Sequence, residues 1–120
     1  HILEEGTYRI KGKDDAGRLK LLADAGALAE AGAFAVVLEL VAPTVAAAIT
    51  GASPMVTIGI GSGSDCDGQI LVTTDLFGTS PDYIPKHVKQ RPEIGAKMRE
   101  AVEEWIRSLP SPRSGGMQKT

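Results

Sequence analysis

At 120 residues the chain is about one ordinary domain, enough to bury a core but short for a closed eight-stranded α/β barrel, which takes about 250 residues. Thirteen Lys plus Arg against fifteen Asp plus Glu leave no basic excess to neutralise phosphates, which argues against nucleic acid as a partner. One cysteine, Cys66, makes no intrachain disulfide, and no apolar run reaches the roughly 20 residues of a membrane span, so a soluble chain with no membrane partner is expected.

No positively charged leader precedes a hydrophobic segment, and the first residue is His1 rather than Met, which predicts that something precedes it. His1 to Asp15 reads as a loop leading into a helix, with Asp14 or Asp15 as the cap. From Ala16 to Ala33 the set Leu19, Leu22, Gly26, Ala29 and Ala33 recurs every three or four residues, which predicts a helix with a narrow small-residue face. Gly32 falls where a C-cap glycine belongs. Residues 34–41, FAVVLELV, form a continuous apolar run of strand length broken only by Glu39. Strands buried on both faces by helices have this character, so a parallel sheet is expected. Pro43 suits a first helical turn, and a short alanine-rich helix follows to about Gly51.

A second strand is predicted over 56–61 and a third over 70–73, so helix and strand alternate as in repeated α/β units. Leu76 to Tyr83 reads as a surface loop, and Ile84 to Gln90 carries a short basic stretch. Pro92 to Leu109 is the clearest amphipathic helix, with Ile94, Met98, Val102, Trp105, Ile106 and Leu109 on one stripe. Residues 110–120, rich in Pro, Ser and Gly, are expected to be a flexible tail.

Between the second and third predicted strands lie Gly59, Gly61 and Gly63. Alternate glycines directly after a strand allow positive φ and close backbone approach. A ligand-facing loop and a sharp strand-ending turn both account for them. No Lys-Ser/Thr follows, which excludes a phosphate loop, and no long helix follows Gly63, which excludes a dinucleotide fingerprint. Glu39 stands at the far end of an apolar strand, where a carboxylate is costly unless paired, hydrogen-bonded or protonated. A general base at a barrel's C-terminal face and a structural ion pair or exposed strand end are the competing readings; burial would favour the base. Asp65, Asp67 and Asp75 suit metal ligands or, more simply, turns and caps. His1 and His87 have no partner at metal-ligand spacing, and Cys66, flanked by two aspartates, is a poor nucleophile.

Several consecutive segments together resemble the ketopantoate hydroxymethyltransferase family. They are Thr7 to Lys13, then Ala31 to Glu39, then Thr57 to Gly61, then Asp65 to Val72, and Pro85 Lys86 with Val88 Lys89. The likeness runs in order from about Gly6 to Trp105 and matches the family's C-terminal half.

The resemblance implies an α/β fold, the C-terminal part of a (βα)8 TIM barrel of the phosphoenolpyruvate mutase/isocitrate lyase type, over residues 1–109. It implies transfer of a hydroxymethyl group from 5,10-methylenetetrahydrofolate to α-ketoisovalerate, giving ketopantoate for pantothenate biosynthesis in the cytoplasm. Mg2+ would hold the keto acid, Glu39 would carry the proton at its C3, and Gly59, Gly61 and Gly63 would border the pocket. The family's metal ligands match no residue of this sequence, so none is assigned here. The resemblance also implies a homo-oligomer with the helix 92–109 at a subunit contact. Departures from the family pattern are the shift of a proline to Pro43, Val56 in place of a proline, Thr74 in place of a larger residue, and Gln90 in place of an arginine. The alternative is an inactive half-barrel that serves only as an association module, its open edges paired with another chain.

Overall fold

The computed structural model describes residues 9–80, 86–89 and 92–110. The expectations for His1, the Thr7 Tyr8 start of the family match, Gln90 and the tail after Pro110 lie outside these residues. The chain divides between Leu71 and Val72 into two compact units.

In the first unit, helix α1 runs Asp15–Glu30, and the Asp14 carboxylate accepts from the Gly17 amide at 2.7 Å, as a capping residue should. The helix ends as the glycine predicts. Gly32 takes φ +91°, its amide reaches Ala29 O at 3.0 Å, and the Ala33 amide reaches Leu28 O at 3.1 Å. This pair of bonds satisfies carbonyls that the last turn otherwise leaves bare.

Strand β1, Ala35–Glu39, leads into helix α2, Pro43–Ala52, and back to strand β2, Val56–Ile60. The two strands pair in parallel, Ala35 with Val56 through Glu39 with Ile60. Pro43 stands in the first turn of α2, where its missing amide hydrogen costs nothing. The core gathers on one side of this sheet, where Ala25 from α1 meets Leu38, Val41, Ala42, Val45, Ala46 and Ile49. Leu21, Leu22, Val36 and Cys66 pack around them. The α1 face therefore runs through Leu21, Leu22 and Ala25, and Leu19, expected on it, points into solvent.

Two strand expectations need correction. The run 34–41 is not buried on both faces, because α1 and α2 cover one face only: Leu38 is buried, Phe34 is 87% exposed and Val37 is 54% exposed. The third strand is not 70–73 but β3, Gly68–Gln69, which pairs in parallel with Ile58 and Gly59 in the sheet order β1-β2-β3. Ile70, Leu71 and Val72 lie beyond it and are exposed, although the Ile70 amide still reaches Gly59 O at 3.0 Å.

Parallel neighbours ordinarily need a crossover of about a dozen residues or more. Here only residues 61–67 join β2 to β3. Gly61 at φ +65° and Gly63 at φ +81° turn the chain back on itself. Thr57 then catches the returning strand. Its amide donates to Asp67 Oδ2 at 2.8 Å, its hydroxyl lies 3.2 Å from the same oxygen, and the Asp67 amide donates to Thr57 Oγ1 at 3.1 Å. Thr57 Oγ1 also lies 2.8 Å from Thr50 Oγ1, which reaches Ala46 O at 2.8 Å, so the loop is tied through β2 to α2.

In the second unit, helix α3, Thr73–Phe77, takes in only Leu76 and Phe77 of the loop expected over Leu76 to Tyr83, of which residues 81–83 lie outside the described residues, and it ends on Gly78 at φ +67°. Helix α4, Pro92–Ser108, follows the amphipathic prediction closely. The two helices meet where Gly95 lies against the Gly78 carbonyl, so close that a Cβ would clash. Among the described residues no helix is long and apolar enough to cross a membrane.

Candidate active site

Glu39 ends β1, and its register partner Ile60 ends β2. Both strands run in parallel, so Glu39 and the loop that starts at Gly61 stand at the same, C-terminal, edge of the sheet. In open and closed α/β folds alike this edge is where ligands and reacting side chains gather. Side chains alternate along β1, so Val37 and Glu39 share the face opposite Leu38. Glu39 is exposed there, as the reading of an exposed strand end allowed, because α1 and α2 cover only the other face.

The backbone directly after Glu39 is unusual. Leu40 takes φ +52°, a conformation that costs a residue with a Cβ about 1 kcal/mol or more. It is held from three directions. The Leu40 amide donates to Ile60 O at 2.9 Å, its carbonyl accepts the Lys11 amide at 2.7 Å, and the Ala42 amide returns to Lys11 O at 2.8 Å. Lys11 and Val41 thereby form a parallel bridge on the other side of β1.

The glycines are accounted for mainly by contacts inside the chain. A Cβ on buried Gly59 would stand 3.0 Å from Cys66 Sγ and 3.1 Å from Gln69 Oε1. One on Gly63 would stand 2.8 Å from Pro43 Cβ, so the proline of α2 and the loop glycine pack face to face. Gln69 Nε2 donates to Gly63 O at 3.1 Å and closes the loop from the other side. The sharp turn, left open beside a ligand loop, thus has a steric cause at Gly59 and Gly63. The geometry brings Glu39 to the level of Gly61, whereas Gly59 is covered by Cys66 and Gln69.

Asp67 serves as the latch on Thr57, and Asp75 lies in the first turn of α3. Among the described residues no group of three or more His, Cys, Asp or Glu could hold a metal ion. A shallow groove lined by Leu22, Ala25, Gly26, Ala29 and Ile49 lies between α1 and α2 and extends to Ser53 and Pro54. Those last two precede β2, so the groove is at the end of the sheet away from Glu39.

Sequence reasoning missed Ser62 and Leu40. Ser62 is 1% exposed, and its hydroxyl donates to Leu38 O at 2.6 Å and accepts from the Val41 amide at 2.9 Å. A lone small polar residue between two glycines was the signal available for it. Nothing in the residue type of Leu40 announces a positive φ.

The comparisons with known proteins point to one family. A family model described as ketopantoate hydroxymethyltransferase matches residues 1–113. A protein of Carboxydothermus hydrogenoformans named 3-methyl-2-oxobutanoate hydroxymethyltransferase is 47% identical over 104 residues, covering 87% of this chain and 38% of the relative. The protein of that name from Clostridium botulinum is 48% identical over 101 residues, 84% of this chain and 37% of its own length. That from Rhodospirillum centenum is 44% identical over 113 residues, 94% of this chain and 41% of its own. The chain thus spans about two fifths of the length of the curated relatives it matches.

Proposed function

The chain belongs to the ketopantoate hydroxymethyltransferase family, and from that premise we propose that it is the C-terminal part of a (βα)8 barrel enzyme whose base is Glu39. The reaction is hydroxymethyl transfer from 5,10-methylenetetrahydrofolate to α-ketoisovalerate, giving ketopantoate, in the cytoplasm. One observation carries the assignment of the base: a carboxylate ends a parallel strand at the C-terminal edge of the sheet, beside the loop that begins at Gly61. In the proposed step the Glu39 carboxylate accepts the proton from C3 of the keto acid. The electron pair of that C–H bond passes into an enolate, whose carbon is the nucleophile for the one-carbon unit. The Gly61 to Gly63 turn would border the same pocket. The exposed face of Val37, Glu39 and Val56 is the one that further barrel strands would enclose.

The described residues do not assemble a site for the magnesium ion that the resemblance implies. Its ligands are assigned to none of them, and no step is derived through it. The helix α4 is proposed as a contact between subunits, which its exposed Met98, Val102, Trp105 and Ile106 support.

Exchange of the C3 proton of α-ketoisovalerate with solvent tests the base directly in the full-length protein. Glu39→Gln keeps the shape and removes the acceptor, so exchange is expected to fall to background. Exchange at an undiminished rate would remove Glu39 from the mechanism.

A further inference from the structure

We infer that Ser62 is a positioning residue for Glu39: its buried hydroxyl bridges the backbone on either side of the Glu39–Leu40 step and sets the direction in which the carboxylate leaves the strand. The inference rests on the reading of Glu39 as the base. Ser62 Oγ donates to Leu38 O at 2.6 Å and accepts from the Val41 amide at 2.9 Å. Those two groups flank Glu39 and Leu40 and no others. A hydroxyl has one proton, and the short contact to Leu38 O takes it in preference to Ile60 O at 3.5 Å.

Leu40 at φ +52° is where the extended strand is broken, and the hydrogen bonds on either side of the break hold the Glu39 backbone from which the carboxylate leaves. Ile60 and Lys11 hold the Leu40 peptide groups, but the Val41 amide, on a residue 4% exposed, is held by Ser62. Without the hydroxyl, the Val41 amide and the Leu38 carbonyl lose this partner in a buried place, and the strained turn loses one of its restraints. Gly61 and Gly63, both at positive φ, stand on either side of Ser62 and turn its side chain inward. The paired glycines therefore serve to aim a hydroxyl at the end of the neighbouring strand.

The test uses the full-length enzyme and the C3 proton exchange of α-ketoisovalerate. Ser62→Ala is expected to lower kcat for exchange about tenfold while KM for the keto acid stays within about twofold, the pattern of a misaimed base with an intact binding site. Leu40→Gly added to the same chain is expected to recover most of the lost rate, because glycine takes the left-handed turn without strain. Should Ser62→Ala not fold, Ser62→Cys replaces it, keeping the volume and a weaker donor, and the same split between kcat and KM is read at smaller amplitude. Full kcat in either folded variant, or a loss in Ser62→Ala that Leu40→Gly leaves in place, overturns the assignment. The two readings fail separately. Undiminished exchange in Glu39→Gln removes the base, whereas abolished exchange there beside full kcat in Ser62→Ala removes only the role of Ser62.

Discussion

Thr57 is 0% exposed and polar, and the local structure follows from how its groups are satisfied. Its amide and hydroxyl both reach Asp67, ten positions on, and so choose the residue at which the chain returns to the sheet. The turn between them works only with glycine where the backbone comes near another group. Gly63 combines φ +81° with a Pro43 Cβ 2.8 Å from where its own Cβ would be. Gly63→Ala is therefore expected to destabilise the protein by about 1–3 kcal/mol, from strain and overpacking together. Gly68, in the same stretch, has nothing within 4 Å of its Cβ position and no positive φ. Gly68→Ala should be neutral or slightly stabilising, since it removes the entropy cost of glycine in a strand, about 0.5–1 kcal/mol. Denaturant midpoints of the two variants in the full-length protein check the contrast. Equal midpoints would mean that Pro43 gives way and the loop is not held as described.

Helices α1 and α2 were legible in the sequence because their signals are local, whereas the short α3 was not. Asp14, Gly32 and Pro43 are punctuation marks whose chemistry acts within a turn or two, and each sits where its type predicts. The third strand was illegible for the opposite reason. Ile70, Leu71 and Val72 have the composition of a strand, yet the pairing falls on Gly68 and Gln69, which do not. The register is set by the Thr57–Asp67 latch, a bond between side chain and backbone across a loop, and hydrophobic periodicity carries no trace of it. The exposure of Glu39 was illegible for a further reason. An apolar run reports that a strand wants cover on both faces, whereas α1 and α2 provide cover on one. Helix α4 shows the same gap at the scale of an element. Its stripe of Met98, Val102, Trp105, Ile106 and Leu109 is exposed, with Trp105 at 62%. If that stripe is the proposed subunit contact, Trp105→Glu in the full-length enzyme should lower the molar mass seen by light scattering. An unchanged mass would take α4 out of the interface.

At the scale of the molecule, the chain matches relatives of which it spans about two fifths, and its described sheet is an open one of three strands. Val37 and Val56 lie on the same face, Val37 across from Ile58 and Val56 across from Ala35, where no described helix of their unit covers them, and each is about half exposed. Apolar area is worth about 25 cal/mol per Å2 when removed from water, so a face of this kind drives association until it is covered. The edges add to this, because β3 is the last strand on its side of the sheet and is only two residues long. Three parallel strands cannot close a barrel by themselves. A polypeptide of residues 1–120 produced alone is therefore expected to self-associate at micromolar concentration and to show no exchange of the α-ketoisovalerate C3 proton. Association would follow from the bare face and edges, and silence from the proposed base standing without the rest of the proposed pocket. Light scattering and the exchange assay on one sample separate the two causes. A stable monomer would show that the face of Val37 and Val56 needs no cover, and exchange by such a monomer would place the whole proton-transfer site within these residues.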